Sequence, residues 1–102
     1  MRSMDRHLER VEALRKAVFE GEGKVDRKVR EAAGKNQGVP PELAAYVDKV
    51  AKHAYKVTDE DVAALKKAGY SEDQLFEITV AAATGAALKR LDIGLAALKG
   101  GK

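Results

Sequence analysis

Cysteine is absent from the 102 residues. That single absence removes disulfides, thiolate nucleophiles and cysteine-based metal centres. Tryptophan is absent too, and aromatic residues make up only 5% of the chain. Alanine, valine and leucine must therefore build the core. Such a core is thin for a domain this small, and association is a common remedy. The two prolines are neighbours, Pro40 and Pro41, and no Pro/Gly/Ser-rich linker divides the chain. The length allows one domain, 1–102, with an N-terminal helical pair over 1–36 and a core over 40–98. Long apolar runs are missing as well. The uncharged stretch Ile78–Leu88 is too short and too rich in small residues to cross a bilayer. The N-terminal MRSMDRHLER lacks the apolar centre of a signal sequence. A cytoplasmic protein with no membrane partner is the expectation.

Charge of one sign is scarce: the formal net charge is +3. Acidic and basic residues interleave in MDRHLERVEALRK, the pattern of a solvated helix face and not of a phosphate-binding stripe. The densest basic patch, Arg27, Lys28 and Arg30, has Asp26 and Glu31 beside it and reads the same way.

What is present is helical, and no segment has the alternation of a strand. Ser3 can cap a first helix reaching about Phe19, with Leu8, Val11, Leu14 and Val18 on one face. A weaker second helix spans about Val25 to Ala33 and stops in GKNQGV. Pro41 suits the first turn of a third helix, which offers Leu43, Val47, Val50 and Ala54 to a core. Thr58 caps a fourth, whose Asp59, Glu60 and Asp61 suit the positive end of its dipole. Gly69 closes it in a left-handed conformation. Ser71 and Gln74 then form a capping box for a last helix over about Glu72 to Leu98. Its middle, ITVAAATGAAL, is apolar on every side and needs neighbours on every side. Leu88, Leu91, Leu95 and Leu98 continue it like one coiled-coil seam. A chain this short cannot easily surround such a helix, so the expectation is an all-α homo-oligomer.

The stretch VTDEDVAALKKAGYSEDQLFEITVAAATGAALKR resembles the carboxymuconolactone decarboxylase and alkylhydroperoxidase-D-like superfamily, over about Pro40 to Leu98. The resemblance implies an all-helical fold assembling into trimers or hexamers. Its redox branch carries Glu, eleven residues, Cys, two residues, Cys, three residues, His. Registered on Ala68–Gly69, those positions fall on Glu42, Ala54, Val57 and Asp61. Only the glutamate is kept. Peroxide reduction needs one thiolate to attack and a second thiol to resolve the sulfenic acid, so a cysteine peroxidase of that kind is excluded. The resemblance leaves a lactone-decarboxylase type of enzyme open. That alternative needs a general base and cations for a small carboxylate ligand. Glu42, His53 and Asp61 are its candidate catalytic residues, with Lys49, Lys52, Lys56, Tyr46 and Tyr55 nearby.

Each candidate also has a plainer role. Glu42 suits a helix start, and His53 and the lysines suit a solvated face. No cofactor and no metal are expected, because His7 and His53 are far apart and Asp59–Asp61 lacks the spacing of a calcium loop. A helix-turn-helix around Gly69 is a minor alternative. Its second helix would present Glu72, Asp73 and Glu77 to phosphates, which argues against a nucleic-acid partner. The favoured reading is a redox-inactive structural or ligand-binding homo-oligomer.

Overall fold

In the computed structural model, which describes residues 2–100, the chain forms α1 (Arg2–Glu20), α2 (Arg27–Lys35), α3 (Pro41–His53), α4 (Asp59–Lys67) and α5 (Glu72–Gly100). A short 3-10 turn, Ala54–Lys56, follows α3. No strand occurs among the described residues, so the all-α class expected from the periodicity is the one observed.

Local chemistry sets most of the helix boundaries. Asp26 caps α2 by accepting from the Lys28 N–H at 3.1 Å, and so starts it two residues later than periodicity alone suggests. The helix then runs through Gly34, and Asn36 turns it off in the left-handed region at φ 54°. Asparagine tolerates that conformation better than most side chains. Thr58 caps α4, and Asp61 returns the bond to the Thr58 N–H at 2.9 Å, which closes a capping box. After α4, Gly69 adopts φ 110°. The Tyr70 N–H then reaches the Leu65 carbonyl and the Gly69 N–H reaches the Lys66 carbonyl, a Schellman ending. Ser71 and Gln74 exchange the expected capping-box bonds at 2.9 and 3.1 Å. α1 begins at Arg2, so Ser3 lies inside it; whether its side chain caps anything falls outside the described side chains.

α5 is the axis on which the other helices pack, with α2 and α3 making its largest contacts. The core between them holds Leu43, Val47, Val50, Leu75, Ile78, Ala81 and Ala82. Tyr46 is buried among them, and its hydroxyl donates to Thr79 Oγ1 at 2.6 Å while Thr79 donates to the Leu75 carbonyl at 2.7 Å. That chain satisfies both hydroxyls where α3 crosses α5.

α2 meets α5 backbone to backbone. A Cβ placed on Gly85 would overlap the Gly34 carbonyl. A Cβ on Gly34 would instead strike the far end of the Phe19 ring, 2.5 Å away.

Arg30 departs from the solvated face expected for its basic neighbourhood. It is only 6% exposed. Its guanidinium donates to the carbonyls of Val18 at 3.0 Å and Gly21 at 2.6 Å, closing the C-terminal end of α1. Glu77 of α5 accepts from the Lys24 and Val25 N–H groups at 2.8 and 2.9 Å and holds the α1–α2 loop against α5.

Three glycine-to-alanine substitutions separate crossing from propensity. Gly85→Ala should cost about 2 kcal/mol or more, because a backbone atom cannot move aside. Gly34→Ala should fall within about 1 kcal/mol of the parent, because the half-buried Phe19 can rotate and helix propensity improves. Gly94→Ala, where a Cβ meets nothing, should stabilise by about 0.5–1 kcal/mol. Chemical denaturation followed by circular dichroism measures all three.

Candidate functional site

The three residues singled out as catalytic candidates sit around the α3–α4 hairpin. Glu42 lies in the first turn of α3 and Asp61 in the first turn of α4. His53 is the last residue of α3. Because the two helices are joined by a short turn, the start of each lies near the end of the other.

Side-chain bonds exploit that layout. The Tyr70 hydroxyl, just beyond α4, donates to Glu42 Oε2 at 2.7 Å. Lys49, two turns further along α3, donates to Asp61 Oδ2 at 2.9 Å. Positions 42 and 49 are about 10 Å apart along a helix axis. The two carboxylates therefore fasten opposite ends of α4 to α3 and do not meet. His53 is exposed and stacks edge-on against Tyr55, with ring centroids 6.0 Å apart. Tyr55 is itself 81% exposed, and Lys56 lies over its ring.

The electrostatics follow from these partners. The Tyr70 hydrogen bond holds the Glu42 carboxyl below its ordinary value. Lys49, and then the Thr58 N–H, do the same for Asp61. Burial, then the bond to Glu42, push the Tyr70 hydroxyl up to about 12. A general base works best with a value near the working pH, and both carboxyls are shifted the other way.

Ala54 and Val57 occupy the positions that register with the paired cysteines of the redox branch. Ala54 is exposed on the 3-10 turn, and Val57 is half-buried against the core. Among the described residues no cluster of three or more histidine, aspartate or glutamate side chains could hold a metal ion. No described helix is long and apolar enough to cross a membrane.

The concave surface lies elsewhere, where α2 crosses α5. One cavity of about 490 Å³ is lined by Arg15, Phe19, Glu31, Leu88, Lys89 and Asp92, among others. A second of about 270 Å³ lies on the other side of the Gly34–Gly85 contact, against the end of α3. Neither contains Glu42, His53 or Asp61. Reasoning from sequence alone missed this region, since its residues come from four separate helices. Comparison with family models, with curated proteins and with solved structures finds no match to this chain.

The hairpin bonds set a pH dependence. The folded-state values of Glu42 and Asp61 are depressed, so their stabilisation is complete above the unfolded values near 4 and is lost as pH falls through the folded values. Tyr70 is shifted upward, so its contribution is present below about pH 10 and is lost as pH rises toward about 12. The thermal midpoint should therefore hold between about pH 5 and 9 and fall on either side. Asp61→Asn and Glu42→Gln should flatten the acid limb, and Tyr70→Phe the alkaline limb. Scanning calorimetry across pH reads both.

Proposed function

We propose that the chain is a self-associating helical module, a redox-inactive member of the carboxymuconolactone decarboxylase-like superfamily with a structural or binding role. One observation carries this reading. α5 presents an apolar stripe of Phe76, Val80, Ala83, Ala87 and Leu91, at intervals of four, three, four and four, all exposed except the half-buried Val80. That spacing is one face of a helix. Phe76 is 69% exposed, although its place in an apolar segment leads one to expect burial.

The opposite face of the same helix supplies Leu75, Ile78, Ala81, Ala82 and Leu88 to the core. One chain thus covers one side of α5 and leaves the other bare. Exposed apolar residues arranged as a continuous strip mark an interaction surface, whereas scattered ones do not. Ala83 and Ala87 at the centre of the strip allow another backbone to come close. The trimers or hexamers implied by the family resemblance need such a face.

The bonds of the hairpin candidates also favour a non-catalytic role. Glu42 and Asp61 are spent on fastening α4 to α3, and the chain contains no cysteine.

Light scattering at tens of micromolar tests the proposal. The parent chain should show a mass that is a multiple of 11.0 kDa. Phe76→Glu combined with Ala83→Glu should weaken association by about a hundredfold or more, because each buries a carboxylate without a partner. Helical content should be unchanged. A parent chain that stays a monomer at those concentrations overturns the proposal.

A further inference from the structure

The smaller cavity beside the Gly34–Gly85 contact has an unusual lining. Lys35, Lys52, Lys89 and Arg90 all face it, and no carboxylate does. The remaining wall is apolar or small: Ala51, Gly85, Ala86 and Ile93 among them. We propose that this cavity is a binding site for a small oxyanion of charge two or more, a di- or tricarboxylate or a phosphate ester.

Lys35 and Lys89 also border the larger cavity, which holds Glu20, Glu31 and Asp92, but among the described residues ion pairing does not engage them there. Lys35 and Lys52 lie in the last turns of α2 and α3, where a helix dipole favours cations. Lys89 and Arg90 come from within α5, ten or more residues from its end, where no helix terminus calls for them. Several acceptors at the two helix ends are already engaged. The Asn36 and Gln37 N–H groups take the Ala33 and Ala32 carbonyls, and Arg90 donates to the Ala51 carbonyl at 3.0 Å. That bond uses one of the five donors of the guanidinium. The rim carboxylate, Asp48, is held by Lys52 at 3.0 Å and by the Asn36 amide at 2.8 Å. Among the described residues Lys35, Lys89 and Arg90 form no salt bridge.

Three cations without a salt bridge therefore converge on a concave surface whose own lining holds no carboxylate. An anion bridging them relieves their mutual repulsion and gains charge-assisted hydrogen bonds. The cavity, at about 270 Å³, is slightly below the size of drug-binding pockets. It suits a metabolite-sized body lying on Ala51, Ala86 and Ile93 with its charged ends on α2 and α5. The inference is independent of self-association, because every lining residue belongs to one chain.

Titration of the full chain with disodium succinate or inorganic phosphate, with sodium chloride at matched ionic strength, tests the site. Amide chemical shifts of Gly34, Lys35, Gly85, Ala86 and Lys89 should move and saturate with either dianion and not with chloride. Saturation by either dianion supports the site, and the tighter of the two assigns the headgroup. Lys35→Gln combined with Lys89→Gln should weaken binding about tenfold or more, with the thermal midpoint unmoved. Lys66→Gln, on α4, should leave affinity unchanged. Running the same titration on the Phe76→Glu, Ala83→Glu chain separates failure of this site from failure of association. Shifts that never saturate, equal shifts with chloride, or a double variant that binds like the parent would overturn the proposal.

Discussion

The contact between Gly34 and Gly85 is the constraint on which the rest of the structure depends. Two helix backbones touch there without side chains between them. Ordinary helix pairs stand 8–10 Å apart, set by the side chains at their contact, and a contact without any lies at the close end. Close approach brings Ala33 and Ala81 to complete burial, so methyl groups suffice to fill the interface. A chain poor in aromatics can build a dense core in only this way, by removing volume at the crossing instead of adding bulk around it. The cavities on either side of the crossing are its consequence, because helices that meet at a point diverge beyond it.

The second fixture is electrostatic. Arg30 closes the exposed carbonyls at the end of α1, and its own helix is pressed on α5 by the glycine contact. Its buried Nε finds no acceptor among the described residues. Nearby, burial raises the Glu77 carboxyl, but the Lys24 and Val25 N–H bonds, and then the Arg30 charge, hold it below its ordinary value. Glu77 in turn gathers the N–H groups of the α1–α2 loop. Breaking such a group by removing one partner costs more than never having buried it. The loop, α1 and α2 are thus held as one unit by two charged side chains, in a fold whose largest fully buried side chains among the described residues are only Leu43, Ile78 and Val47.

Local signals in the sequence predict local features well. Thr58, Gly69 and Ser71 act as their chemistry requires, because a cap is decided by residues three or four apart. The sequence misleads where a residue serves a distant partner. Gly34 resembles a helix stop, yet it lies inside α2 because α5 needs its missing side chain, and Asn36 takes over the turn. Arg30 resembles part of a solvated basic patch. Its position three and four residues before Ala33 and Gly34, on the same face, was the available signal for burial. The hairpin candidates were legible as a neighbourhood and not as an arrangement. Glu42 and Asp61 do flank one hairpin, but nothing local shows that Tyr70 and Lys49 engage them. The basic cavity was invisible for the same reason: Lys35, Lys52 and Lys89 are far apart along the chain and become neighbours only through the glycine crossing.

α5 shows how one helix can answer two demands. A helix that is apolar all round has no preferred orientation toward its own core, so something else must choose which face turns inward. Gly85 makes that choice, since only its side of the helix can accept the α2 backbone. The stripe from Phe76 to Leu91 is what remains on the outside. Alanine there could be explained by helix propensity alone. Phe76 could not, since aromatic side chains are not favoured in exposed helices and burying one contributes about 2 kcal/mol. The same argument applies beyond the body of the fold, where Leu98 is 77% exposed on the final turns of α5. Large apolar side chains kept at both ends of a strip whose centre is small describe a surface shaped to receive another helix. The inward face is set by one glycine, and the outward face is left for a partner.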